Sequence, residues 1–337
     1  MSYWPRDIVE YVDAIGLPSV AFRDSELTRG VVSKTRDGRI LSYAGGLGIV
    51  FRLECATKKY AVKCFRYPQS DRLRRFLEID KYLTKSSLDC MVGFRLIDSE
   101  LLVTGNRFPV LKMEWVNAPT LDMYIKMNLA NPQKLQTLAK DWLALIGSLR
   151  QNQISHGDLQ NANIMVDNGR LKLIDYDGMY VPSIASLGTI ELGQTHFQHP
   201  DRILQRIKPS PFGPNTDNFS AWVIYLSIVA LSIDSSLWSK CECGPYNLLF
   251  TGPDYQTPDA SPKFKLLRSH SNKTIAELTE KIFQYSKAPF DHIPPLIDSP
   301  NEVIKAQKDR WWTSSTEAAK VTVSQNSPIK RQDTSWL

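Results

Sequence analysis

The sequence predicts an α+β fold: a small antiparallel sheet with one helix, followed by a larger and mostly helical part. Three observations carry this. Short apolar runs at 48–53, 59–65, 90–97 and 108–113 read as strands. One amphipathic stretch, 70–85, reads as a helix between them. Beyond 117, apolar-periodic stretches at 132–152 and 221–233 read as helices. The 337 residues suit one large two-lobed domain or two ordinary ones, and 42% hydrophobic residues can bury a sizeable core.

Composition narrows the class. The net charge of +6 is spread out, with no run of Lys or Arg that would argue for nucleic acid. Five scattered cysteines fit a reducing compartment better than a disulfide framework. Cys241-Glu-Cys243 has the spacing of half a zinc site, but no second pair lies nearby. Met1 to Glu10 combines acids with Trp-Pro and reads as no secretory signal. The longest apolar stretch, 221–233, falls short of the roughly 20 residues a membrane span needs. A cytoplasmic protein with no membrane or nucleic-acid partner is the expectation.

In chain order, 7–15 reads as an amphipathic helix stopped at Gly16-Leu17-Pro18, and 22–27 as a loop. Residues 1–42 form an extension that packs on the domain. Tyr43-Ala-Gly-Gly-Leu-Gly48 then runs into an alternating strand, and glycines there let backbone amides approach phosphate oxygens. The strand 59–65 returns as a hairpin, with Lys63 on the same face as Ala61 and Phe65 and aimed into the cleft of the glycine loop. In the 70–85 helix, Glu78 sits among Leu73, Phe76, Leu77, Ile79 and Leu83. The helix 132–152 leads into His156-Gly-Asp-Leu-Gln-Asn-Ala-Asn-Ile-Met165, and Leu171-Lys-Leu-Ile-Asp-Tyr-Asp-Gly178 follows. Asn168-Gly169 supplies the positive φ angles of a two-residue hairpin turn, so Asp158, Asn163 and Asp175 should surround one point. An acid, an amide and an acid offer hard oxygen atoms, which suit magnesium and the phosphates it carries.

This arrangement resembles the catalytic loop and metal segment of the protein-kinase superfamily, H-R-D-x-x-x-x-N followed by D-F-G. The resemblance extends over roughly 43–300 and implies the bilobal protein-kinase-like fold, with an N-lobe at 43–116 and a C-lobe at 117–305. It implies ATP and Mg2+ (or Mn2+) as cofactors. Gly45, Gly48 and Val50 match the glycine loop, with Tyr43 where its first glycine belongs. Lys63 matches the strand lysine that neutralises the α/β phosphates, and Glu78, with Asp80 as the alternative, the helix glutamate that orients it. Met113-Glu-Trp-Val116 is similar to the hinge, so the backbone of Glu114 and Val116 would meet adenine and Met113 would guard the pocket. Val50, Ala61 and Met165 would sandwich the base. Asp158 would accept the substrate hydroxyl proton, Gln160 stands where a lysine usually meets the γ-phosphate, Asn163 and Asp175 would ligate metal, and Asp177 is the alternative to Asp175.

His199-Pro-Asp201 resembles the A-P-E that closes an activation segment, and Arg268 is a candidate partner for Asp201 across the lobe. Asp217 matches the aspartate that braces the catalytic loop. Gly157 replaces the arginine of H-R-D, which implies activity not gated by loop phosphorylation. The Asp-Tyr-Asp-Gly-Met-Tyr-Val-Pro182 run and Ala-Ile-Gly-Leu-Pro18 are similar to a bacterial group of eukaryotic-type Ser/Thr kinases. Members of that group often sit beside a von Willebrand A-type protein and a PP2C-type phosphatase. A Ser/Thr protein kinase acting on protein substrates is therefore expected; a pseudokinase scaffold and an aminoglycoside-type small-molecule kinase are the alternatives. From about Ala306 to 337 the composition reads as a mobile tail.

Overall fold

The structure, a computed structural model, describes residues 3–68 and 70–297. The chain divides into two units, 1–296 and 297–337, and the account below concerns the first. The expected tail at 306–337 lies outside the described residues.

The N-terminal extension forms α1 (Ile8–Ile15), the single turn α2 (Pro18–Ala21) and β1 (Val31–Val32). Asp7 and Glu10 cap α1 reciprocally. Pro18 does not only end a helix, as the sequence suggests; it also sits at the first position of α2, where its missing N–H costs nothing. The sheet continues with β2 (Ser42–Ala44), β3 (Gly48–Glu54) and β4 (Lys59–Phe65). Next come the helix α3 (Arg72–Ser86) and the strands β5 (Phe94–Val103) and β6 (Asn106–Glu114). All pairings are antiparallel, in the order β1-β3-β4-β6-β5, with β2 also on β3. The strand expected at 90–97 starts at Phe94 and runs to Val103.

The N-terminal extension covers one face of this sheet. Ile49, Phe51, Leu53, Tyr60, Val62 and Cys64 pack against Tyr11, Ile15, Phe22, Leu27 and Val32 of the extension. Trp4 and Tyr11 both donate to the Phe65 carbonyl. Lys112 reaches Asp24 at 2.8 Å and Glu26 at 2.6 Å from the same face. Burying a large apolar side chain is worth about 1.5–3 kcal/mol, so these five residues together rival the about 5–15 kcal/mol stability of a typical domain. Deletion of residues 1–41 is expected to abolish cooperative thermal unfolding. A truncated chain with a sharp transition near that of the full chain would refute this role.

The larger part begins with α4 (Leu121–Met127), α5 (Pro132–Gln151) and the hairpin β7 (Ile164–Asp167) and β8 (Arg170–Leu173). Asn168 and Gly169 adopt φ 49° and 81°, the two positive angles that the turn demands. After α6 (Pro200–Ile203) comes α7 (Asn218–Ile233), which is apolar around its circumference and buried as the centre of the lobe. Trp142 of α5 donates to the Ala221 carbonyl of α7 at 3.0 Å. The helices α8 (Leu237–Lys240), α9 (Gly252–Gln256), α10 (Pro262–Arg268) and α11 (Lys273–Lys287) complete it. The expected fold class is present: an antiparallel sheet with one helix, then a mostly helical lobe. Among the described residues, no helix is long and apolar enough to cross a membrane.

A row of aromatic rings joins the two parts. Phe65, Phe76, Phe94, Tyr176 and His156 follow one another at centroid distances of 6.1, 5.8, 5.4 and 6.1 Å. Edge-to-face contacts of this kind add to the area they bury. They link β4 through α3 and β5 to the loops that carry Tyr176 and His156.

Candidate active site

The side chain of Lys63 leaves β4 on the face opposite the extension and crosses to the loop after β8. Its Nζ donates to Asp175 at 2.6 Å and to Asp177 at 2.5 Å. Asp175 sits in the left-handed region, φ 66°, and 44% of its side chain is exposed, against 3% for Asp177. The two carboxylates share one ammonium and separate in consequence. Burial pushes both up, but the Lys63 charge more than offsets this at Asp175 and holds it below the usual carboxylate range. At Asp177 burial and the neighbouring Asp175 charge prevail and raise it, although Lys63 counteracts them.

The catalytic-loop segment is built around Asp158. Asn163 donates Nδ2 to the Asp158 carbonyl at 3.0 Å and to Oδ2 at 2.9 Å. Gln160 donates to the same Oδ2 at 2.6 Å, and the Gln194 N–H to Oδ1 at 2.7 Å. Gln160 thus helps to orient the Asp158 carboxylate. Below it, the buried Asp217 accepts from the N–H groups of His156 and Gly157. Burial raises Asp217 while the neighbouring His156 and Arg202 lower it. Asn161 pins the loop from the other side through the carbonyls of Gly244 and Pro245.

The glycine turn closes through Gly45 N–H to Gly48 carbonyl, 2.9 Å. Gly48 is obligatory, since a Cβ there would meet the Cys64 carbonyl at 2.7 Å and the Lys63 side chain at 3.1 Å. Val50 pairs with Lys63 and Ala61 with Met113 in the strand register, and a bridge from Thr120 brings in Met165. Beyond β6, the Val116 N–H has no hydrogen-bond partner among the described residues, whereas the Trp115 N–H is used by Lys59. Glu114 is exposed and reaches Lys58 at 3.5 Å. Tyr43 stacks 5.7 Å from Trp115, whose other neighbour is the Arg52 guanidinium at 5.4 Å.

Two expectations are corrected. Glu78 makes no ion pair with Lys63, and it is half-buried, as is the alternative Asp80. The inward face of α3 is Arg72, Arg75, Phe76, Ile79 and Leu83, while Leu73 and Leu77 face solvent. That phase carries Glu78 off the cleft. Arg268 pairs with Glu280 at 2.6 Å, and Asp201 instead pairs with Arg206 at 3.2 Å. Cys241 and Cys243 are free thiols, raised by burial to about 11 and about 12, and the described residues hold no cluster suited to a metal through them.

Two residues escaped the motifs. Arg202 lies fully buried beneath Gly157. Glu191 lies against Gly178, where a Cβ would come within 2.6 Å of its Oε1. Burial, then the carboxylates of Asp175, Asp158 and Asp177, push Glu191 up to about 8. A carboxyl raised on folding contributes stability below its unfolded pKa of about 4.3 that is lost as pH climbs through the folded value. Glu191→Gln is therefore expected to raise Tm by a few degrees at pH 9 and leave it unchanged at pH 4. Equal gains at both pH values would sink this assignment.

The donor set suits a hard divalent cation: Asp175 has an exposed carboxylate and, among the described residues, Asn163 Oδ1 is uncommitted and Asp177 Oδ1 is buried without a partner, with the Lys63 cation beside them. Of the two carboxylates, Asp175 is the more exposed. Asp175→Asn is expected to cut Mg2+-dependent turnover on the order of 100-fold, and Asp177→Asn to keep the Mg2+ response. A Mg2+ titration of both variants checks this, and the reverse order would transfer the role to Asp177.

No family model matches the chain, and no curated protein matches it. Among solved structures the chain is similar to the kinase PK-1 of Cydia pomonella granulovirus, at 14% identity and a TM-score of 0.48, over 80% of this chain and 94% of that one.

Proposed function

We propose that the chain is an ATP-dependent phosphotransferase, and within that class a Ser/Thr protein kinase. One observation carries the reading. Lys63 of the sheet meets Asp175 and Asp177, 112 and 114 residues away, beside a glycine turn that tolerates no side chain at Gly48. A buried lysine, a solvent-open aspartate and an oriented aspartate serve no packing purpose that apolar residues would not serve better.

Magnesium and the triphosphate, when bound, supply the transferable phosphoryl group and charge neutralisation. Lys63 would shift from the aspartates to the α/β phosphates, and Asp175 and Asn163 would hold the metal. Asp158 would take the proton from the acceptor hydroxyl. Its carboxylate has about four lone-pair sites, of which Asn163, Gln160 and the Gln194 N–H use three, so one remains for that hydroxyl. Its orientation is then set before substrate arrives, which is how positioning lowers the barrier. Val116 N–H would meet the adenine edge, with Val50, Ala61 and Met165 at its faces.

The choice of a protein hydroxyl rests on the motif resemblance, as do a PP2C-type phosphatase and a von Willebrand A-type protein as partners and a cytoplasmic location. The test is incubation of the purified chain with γ-labelled ATP and Mg2+ or Mn2+, beside Lys63→Ala and Asp175→Ala. Label on the chain or on a generic protein substrate, lost in both variants, supports the reading. Nucleotide binding without transfer would replace it with a pseudokinase scaffold, and turnover only with small hydroxylated compounds with a small-molecule kinase.

A further inference from the structure

Among the described residues, Arg202 is a fully buried charge without a direct ion pair. It lies on α6, has no exposed surface, and has no carboxylate within ion-pair distance among the described residues. Its partners are instead neutral. Nη1 donates to the Gly157 carbonyl at 2.9 Å and to Gln198 Oε1 at 2.7 Å, and Nη2 to the Glu191 carbonyl at 3.4 Å. Its Nε is buried without a partner among the described residues. Burying a guanidinium without direct pairing is expensive, and replacing it by an apolar side chain would ordinarily stabilise a core. The charge is answered only through space, by Asp217, Asp158 and Glu191.

The three acceptors belong to two different segments. Gly157 is the residue before Asp158, whereas Glu191 and Gln198 belong to the stretch that runs over it. That stretch already touches the carboxylate. The Gln194 N–H donates to Asp158 Oδ1 at 2.7 Å. Gly193, at φ 77°, approaches so closely that a Cβ would stand 2.9 Å from the same oxygen and 3.0 Å from the Gly157 carbonyl. The planar guanidinium fork suits this use, because it can hold several carbonyls in fixed directions at once and an ammonium cannot.

We propose that Arg202 is a positioning residue: it clamps the 191–198 stretch to the Gly157 carbonyl and thereby fixes the Gln194 N–H on Asp158. The inference rests on the phosphotransferase reading, with Asp158 as the proton acceptor. It deepens that reading by making the register of the overlying stretch, and not only the catalytic loop, part of the machinery. The cation comes from beyond the loop, from the far end of the segment it orders. Such a clamp is permanent and needs no phosphate group to close it.

The test is steady-state kinetics of wild type, Arg202→Lys, Arg202→Met and Gln198→Met, with Tm and Mg-ATP binding measured on each. Arg202→Met is expected to lose on the order of 100-fold in kcat, the scale of a small misplacement at a reacting centre. The KM for ATP should stay within about twofold, because the nucleotide contacts lie elsewhere. Arg202→Lys should recover only part of the loss. Treating wild type with a phosphatase should leave kcat unchanged. Where Arg202→Met fails to fold, Gln198→Met keeps the test open: it removes one acceptor, leaves the guanidinium, and should lower kcat severalfold at unchanged KM. Variants with wild-type kcat, or a fall in kcat matched by loss of Mg-ATP binding, would overturn the proposal. A wild type that transfers no phosphate would overturn the underlying reading itself, a result readily told apart from active wild type with equally active variants.

Discussion

Lys63→Met is expected to remove phosphotransfer by on the order of 100- to 1,000-fold, the range for losing one preorganised charge partner of a reacting group. It should also destabilise the protein, which a purely catalytic lysine would not do. Nζ is the cation shared by Asp175 and Asp177, one of them 3% exposed. Removing one partner from a buried charged set costs about 3–5 kcal/mol, since the remaining charges keep their desolvation penalty. The sign of a cation effect follows. Without Lys63 the two carboxylates face each other, so Mg2+ alone should raise the Tm of Lys63→Met more than that of wild type. Calorimetry with and without Mg2+ measures this beside the transfer assay. A variant with wild-type Tm and no added Mg2+ response would mean that Lys63 does not hold the pair together in solution.

Short-range rules decide which parts of the site are legible in the sequence. Lys63, Asp158, Asn163 and Asp175 could be found because each is fixed by short-range rules: strand alternation for Lys63, a loop of set length for Asp158 and Asn163, and a two-residue turn before Asp175. The glycine turn is legible for the same reason. Glu78 was misplaced because the phase of α3 is not set by its leucines. Arg72 and Arg75 face inward, with Arg72 stacked 3.9 Å over Phe65 and Arg75 bonded to the carbonyls of Leu187 and Gly188. Inward arginines contradict the pattern that places charges outside, and only the tertiary neighbours make them satisfiable. Arg202 is hidden in the same way, since its acceptors are backbone carbonyls that leave no side-chain signature. The N-terminal helix was legible as amphipathic, but the sequence does not say that it covers the sheet opposite the cleft.

Gly157→Ala is expected to be as damaging as the loss of Lys63, and Gly157→Arg, which writes the H-R-D form that the loop resembles, to be no better. Gly157 has φ 81°, and a Cβ there would lie 2.0 Å from the Gly178 carbonyl oxygen and 2.6 Å from its carbon. The left-handed conformation alone costs a residue with a side chain about 1–2 kcal/mol. The contact costs more, because a Cβ is fixed by its own backbone and meets a backbone carbonyl, so neither can rotate away. Gly178 is itself closed in by Glu191, Gly157 N–H is held by Asp217, and the Gly157 carbonyl by Arg202. Relief would have to break one of these. A combined cost above about 3 kcal/mol is a large part of the about 5–15 kcal/mol that keeps a domain folded. Thermal unfolding and transfer assays on both variants check this, and an alanine variant with wild-type Tm and kcat would show that the loop and the Gly178 turn are not in contact in solution. The departure from H-R-D is then a packing requirement. Two backbones, at 157 and 178, approach too closely for any side chain, so an arginine cannot sit within the loop and the cation that steadies it stands at position 202.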